Sequence, residues 1–196
     1  MKFIIGSLLI FSQLLYFCNG KCNVIASGVS KETQRHIVTL HNNYRRQLAN
    51  GKVKGQPRAI NLKRISWDES LAKEAQIIAE TCKWGHVDVK DKRFDVGQNL
   101  GFVVSNIQEA NWTQVISSWW NEHKGYKFPR EFTIKNGHYR QMAWAKTHLI
   151  GCGFVAFKED EGDFSTKYFV CNYGPGGNVI GQPPYKNGHS GCQKLC

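Results

Sequence analysis

The stretches IGCGFVAFK (150–158) and KYFVCNY (167–173) decide the fold class. Both are rich in β-branched and aromatic residues, and the acidic, glycine-containing segment Glu159–Ser165 separates them. They read as an antiparallel strand pair joined by an exposed loop. Val96–Val104 is a third candidate strand, interrupted by Gly97 and Gly101.

Upstream of these strands the apolar spacing is helical. The pattern predicts a helix from about Lys31 to Ala49, capped by Ser30 and stopped by Asn50-Gly51, with Ile37, Leu40, Tyr44 and Leu48 on one face. A second helix follows Trp67, with Ser66 and Glu69 spaced as a capping box and Leu71, Ala75, Ile78, Ala79 and Cys82 as its stripe. A third begins near Asn111, buries Val115, Ile116, Trp119 and Trp120, and ends by Gly125. Helices ahead of a late sheet predict α+β layers around one core. From Gly174 the run GPGGNVIGQPPYKNG is turn-rich and is expected to wrap the surface, tied down by Cys192 and Cys196.

The N-terminus indicates the compartment. Lys2 is followed by an almost wholly apolar run from Phe3 to Phe17, and the small residues Cys18 and Gly20 sit where a signal peptidase cuts. The run is short for a bilayer span, so Met1–Gly20 reads as a secretory signal peptide and no membrane span is expected. Removing it takes away Cys18 and leaves Cys22, Cys82, Cys152, Cys171, Cys192 and Cys196. Six cysteines in an exported chain read as three disulfides, with the connectivity open on arithmetic alone. None forms a Cys-X-X-Cys pair, which argues against a structural zinc finger.

The full chain carries a formal charge of +11. Such basicity favours acidic partners: anionic lipid, glycosaminoglycan, or acidic patches on a receptor or channel. Nucleic acid fits poorly, because the chain is exported and its basic residues are scattered. The densest cluster, Lys52, Lys54, Arg58, Lys63 and Arg64, falls in a predicted loop and is also what an ordinary solvated surface looks like.

Five segments carry a resemblance. GHYRQMAWAKT (137–147) and FVCNYGPGGN (169–178) resemble the two signatures of the CAP superfamily; CKWGHVD (82–88) and VGQNLG (96–101) match intervening segments of its antigen 5 branch, and LHNNYRR (40–46) matches the family's start. They occur in the family's order and span nearly the whole mature chain. The resemblance implies a three-layer α-β-α sandwich over residues 21–178, followed by a short cysteine-containing tail at 179–196. It also implies the bridges. Cys152 and Cys171, on the two hairpin strands, match a family disulfide; Cys22 would then pair with Cys82, and Cys192 with Cys196.

In this family two histidines and two acidic residues line a central cleft, and the matching positions are His86, Gln98, Glu122 and His138. Two imidazoles facing each other are ligands for Zn²⁺ or another divalent metal. Gln98 stands where many members have Glu; an amide is no general base and a poorer ligand, so the resemblance implies weak metal binding and no required cofactor. A hydrogen-bonded brace for the cleft is the competing reading. Ser117 and Ser118, near Glu122 and His123, invite comparison with a catalytic triad, but neither lies in a nucleophile elbow. The remaining histidines, His36, His41, His123, His148 and His189, are expected at the surface or locally bonded. Asn111-Trp112-Thr113 is an N-glycosylation sequon that competes with a helix-capping role for Asn111.

No convincing catalytic set emerges. The expectation is a monomeric, secreted venom or salivary antigen 5-like effector that binds a host protein target such as a calcium or potassium channel. The alternatives are a small-lipid or sterol carrier and a metal-dependent enzyme or redox protein using His86 and His138.

Overall fold

The computed structural model describes residues 22–106, 109–130, 132–158 and 162–196. The signal peptide read over Met1–Gly20 lies outside these residues, as does part of the loop between the two late strands. In chain order the elements are β1 (Asn23–Ser27), α1 (Lys31–Ala49), β2 (Ser66–Trp67), α2 (Glu69–Glu80), β3 (Gly97–Ser105), α3 (Trp112–Asn121), a 3₁₀ turn (Glu122–Gly125), α4 (Gly137–Met142), β4 (Leu149–Lys158) and β5 (Ser165–Gly174).

The hairpin of β4 and β5 is the centre of the sheet. Its strands pair antiparallel with Cys152 opposite Cys171, and the strand order is β1-β4-β5-β3, with β2 added parallel to β4. Side chains alternate between the two faces, as a pleated strand requires. Ile150, Cys152, Phe154, Phe169, Cys171 and Tyr173 join the larger core with residues of α1, α3 and α4; Val155, Phe157, Tyr168 and Val170 join a smaller one with Ala75, Ile78 and Ala79 of α2. Three helices cover one face and α2 covers the other, giving the α-β-α sandwich. Gly151 and Gly153 explain how closely α2 lies on β4: a Cβ at either position would meet α2 backbone atoms at 2.1 and 2.4 Å. The disulfides join Cys22 to Cys82, Cys152 to Cys171 and Cys192 to Cys196.

Three details differ from the sequence reading. The cap of α2 is Asp68, whose side chain accepts from the Leu71 amide, because Ser66 is drawn into β2; Cys82 lies past the helix end. The third helix stops at Asn121, and the last turn to Gly125 tightens to 3₁₀. The buried face of α1 is rotated: Ile37, His41, Arg45 and Leu48 point inward, whereas Leu40 and Tyr44 are half-buried. Polar residues in that core displaced the apolar stripe the pattern suggested.

Beyond Gly174 the chain runs back over the segment between α1 and β2. Ile60 donates to the Lys186 carbonyl at 2.9 Å, Cys192 to the Ile60 carbonyl at 3.1 Å and Cys196 to the Leu62 carbonyl at 2.8 Å. In that segment Val53, Gln56, Ala59, Leu62 and Ile65 are buried, while Lys52, Lys54, Lys63 and Arg64 are exposed. The basic cluster therefore sits on an irregular segment anchored from beneath.

Candidate functional site

A cleft of about 380 Å³ opens beside α4 and the start of β3, lined by His86, Gln98, His138, Asn178 and an apolar rim that includes Phe132, Ile134 and Ile180. Three of the four residues named from the sequence line it. Glu122 does not; it stands behind His138.

Glu122 is engaged by the fold. Its Oε2 accepts from the His138 and Tyr139 backbone amides at 2.9 and 3.1 Å, and its Oε1 accepts from His138 Nδ1 at 2.6 Å. A carboxylate at the first turn of α4 satisfies amides that have no helical partner and favours the positive end of the helix dipole. The His138 ring also stacks on Trp119, with centroids 5.8 Å apart.

Gln98 does the equivalent for His86. Its Oε1 accepts from His86 Nδ1 at 3.0 Å and from the Val87 amide at 3.2 Å, while its Nε2 donates to Asn172 Oδ1 at 3.0 Å. Asn172 in turn donates to the Leu71 carbonyl at 3.2 Å. In both imidazoles the Nδ1–H is therefore held by an acceptor, which leaves Nε2 with the lone pair. Metal-binding histidines are commonly oriented in this way by an acceptor behind the ring. Among the described residues no group of three or more His, Cys, Asp and Glu is placed to hold a metal ion. Two imidazoles on one cleft are the ligand chemistry of an open divalent-cation site, and fewer than the four ligands a closed structural zinc needs.

The segments that carried the resemblance interlock around this cleft. Gln141 accepts from the Gly177 amide at 2.8 Å and donates to Thr147, whose hydroxyl donates to the Pro175 carbonyl at 2.6 Å. Asn178 donates to the Gly137 carbonyl at 2.9 Å. Arg140, buried, donates to the Arg130 and Gln182 carbonyls. These bonds clamp the cleft walls together.

Behind the cleft lies a sealed polar network that sequence reasoning missed. His41 donates from Nδ1 to the Ile37 carbonyl at 2.8 Å, so its Nε2 accepts from the Tyr173 hydroxyl at 3.0 Å. Asn99 donates to that hydroxyl at 3.2 Å and to the His138 carbonyl at 3.3 Å. Burial, reinforced by the nearby Arg45, lowers the His41 pKa to about 4, which keeps the ring neutral; its bond to Ile37 only partly opposes this. Arg45 donates to the carbonyls of Lys63, Met142, Trp144 and Thr147 at 2.7 to 3.1 Å. Burial pulls its pKa to about 9, still charged at neutral pH. The available signal was the spacing of Ile37, His41, Arg45 and Leu48, which puts polar residues on the buried face.

The other candidates are occupied. Ser117 and Ser118 donate to the Gln114 and Val115 carbonyls of their own helix at 2.8 and 2.7 Å. His36 bonds Thr113, His123 the Trp120 carbonyl and His148 the Lys146 carbonyl. Asn111 caps α3. A second cavity, about 450 Å³, lies where the N-termini of α1 and α3 meet β3 and β5; Glu32, His36, Asn111, Lys167 and Phe169 are among its walls.

Residues 38–173 match the model of the CAP, cysteine-rich secretory protein family. The chain is 36% identical over 177 residues to salivary antigen-5 of Dipetalogaster maximus, covering 85% of this chain and 70% of that protein. It is 36% identical over 180 residues to venom allergen 5 of Vespula maculifrons, covering 86% and 78%. It also superposes on the crystal structure of NaASP2 with Zn²⁺ at a TM-score of 0.70 and 25% identity, covering 86% of this chain and 97% of that one. Fold, clamped cleft and sequence agree: the chain belongs to the CAP family of cysteine-rich secretory proteins.

Proposed function

We propose that this protein is a secreted antigen 5-like effector of venom or saliva that acts by binding a host target, an ion channel or a haemostatic factor, and not by catalysis. One observation carries the reading: the groups that catalysis would need are engaged in holding the fold. Glu122 is occupied by α4 and His138, Gln98 is an amide locked between His86 and Asn172, the two helical serines bond their own helix, and six cysteines are bridged. Similarity to salivary antigen-5 and venom allergen 5 supports the same reading. Three disulfides are consistent with an extracellular location, and among the described residues no helix is long and apolar enough to cross a membrane.

The recognition surface is assigned to the basic segment that carries Lys52, Lys54, Lys63 and Arg64. Exposed irregular segments on rigid frames commonly carry binding, and clustered positive charge steers association with acidic surfaces. Purified protein is applied to a panel of calcium- and potassium-channel currents and to platelet and coagulation assays. Reversing Lys52, Lys54 and Lys63 to Glu should weaken inhibition about tenfold or more, with a reduced salt dependence. Inhibition indifferent to these reversals would overturn the assignment of the surface.

The two unengaged Nε2 atoms favour a second reading, in which His86 and His138 weakly hold a divalent cation. Such an ion supplies Lewis acidity toward a bound water or carbonyl. The crystal structure of NaASP2, a similar fold, was determined with Zn²⁺. Isothermal titration with Zn²⁺ tests this: His86→Ala with His138→Ala should abolish binding, and unchanged stoichiometry would refute it.

A further inference from the structure

We infer that Asn111 is a site of N-linked glycosylation, with the glycan standing at the rim of the cavity between α1 and α3. Asn111-Trp112-Thr113 is the only Asn-X-Ser/Thr triplet in the 196 residues. The structure presents it in the form an attached sugar requires. Asn111 and Thr113 are exposed, whereas Trp112 between them is 3% exposed and packs edge-on against Phe169. The anchored tryptophan turns its two neighbours outward.

Capping and modification use different atoms of Asn111. Its Oδ1 accepts from the Gln114 amide at 2.9 Å, while its Nδ2 makes no hydrogen bond among the described residues. In the transfer, Nδ2 attacks the anomeric carbon of a lipid-linked oligosaccharide. The N–C bond forms, the lipid pyrophosphate leaves, and Nδ2 gives up one proton. The carbonyl oxygen is untouched, so the cap on α3 survives and the sugar leaves the surface through the free nitrogen. Thr113 supplies the hydroxyl at the position the acceptor motif demands. In the folded protein the same hydroxyl bonds His36 Nε2 at 2.8 Å, tying α3 to α1. Disulfide formation and N-glycosylation belong to the same secretory route, so a chain that acquires its three bridges there meets the transferase.

The test uses the full chain secreted from cultured human cells, digested with peptide-N-glycosidase F in heavy-oxygen water and mapped by mass spectrometry. The expected result is a gain in electrophoretic mobility on digestion and recovery of position 111 as heavy-oxygen-labelled aspartate. Asn111→Asp keeps an equally good cap and should be secreted at the digested mobility. Thr113→Ser preserves the motif and should retain the glycan. Recovery of the Asn111 peptide unmodified from secreted wild-type protein would overturn the inference, as would identical mobility of wild type and Asn111→Asp before digestion.

Discussion

Two polar clusters lie back to back around β3 and β5, and their difference separates what holds this molecule together from what it offers to solvent. In the sealed cluster His41, Arg45, Asn99 and Tyr173 are buried, and their hydrogen bonds end on one another or on buried and part-buried backbone carbonyls. In the open cleft His86 and His138 are oriented just as firmly through Nδ1, yet among the described residues neither Nε2 meets a hydrogen-bond donor. Asn99 connects the two, because it donates both to Tyr173 and to the His138 carbonyl. His41 is structural because both of its nitrogens are engaged in the interior, whereas His86 and His138 each turn a ring edge to the cleft.

The largest expected effect breaks the sealed side. Arg45→Met leaves four backbone carbonyls without their donor and should cost on the order of 4 kcal/mol, about 1 kcal/mol per carbonyl. Urea denaturation of the secreted variant measures it, and a loss under about 1 kcal/mol would mean that water replaces the guanidinium.

Next comes pH. The His41 pKa in the folded protein lies near 4, below the ordinary value of 6.5, so the unfolded chain takes up the proton first as pH falls. Its contribution is complete above about 6.5 and is lost progressively until about 4, a span worth about 3 kcal/mol. His41→Asn should flatten that part of the stability–pH curve. A slope that persists in the variant would assign it to other groups.

Effects in the cleft are smaller. Gln98→Glu puts a carboxylate behind His86 and makes the ring a more basic ligand, which should raise Zn²⁺ affinity about tenfold. It also sets that carboxylate against Asn172 Oδ1, a local cost that explains why an amide suits this position. Titration calorimetry reads the affinity, and no change would mean that His86 is not a ligand. The smallest effect is on stability in the open region: His86→Ala should move the unfolding free energy by no more than about 0.5 kcal/mol.

The same contrast explains what was legible in the sequence. For α1 the pattern gave the helix but not its buried face. The hairpin strands follow from their β-branched and aromatic composition, since both of their faces are buried, and the apolar faces of α2 and α3 follow from periodicity. α4 did not, since six residues are too few to show a period and its cap is Glu122, fifteen residues upstream of its first residue and supplied by tertiary contact. β1, exposed along its whole length, and the two-residue β2 carry no pattern, and pairing with β4 creates them. For the cleft, motif resemblance singled out His86, Gln98, Glu122 and His138 but not their division of labour. That Glu122 caps a helix while Gln98 fixes a tautomer depends on which atoms meet, and sequence spacing does not encode it. His41 and Arg45 were hidden for the converse reason: polarity on a helix face reads as solvent exposure unless buried carbonyls await it.

On the proposed function, recognition by the surface, and not chemistry in the cleft, produces the biological effect. The direct measurement compares wild type with the double variant His86→Ala and His138→Gln in whichever channel-current, platelet or coagulation assay the wild type inhibits. Circular dichroism and an intact three-disulfide map establish that the variant is folded. Surface recognition predicts inhibition within about twofold of wild type, because exposed segments on the frame are unchanged. Complete loss of inhibition in the folded double variant would contradict the account and place the activity in the cleft.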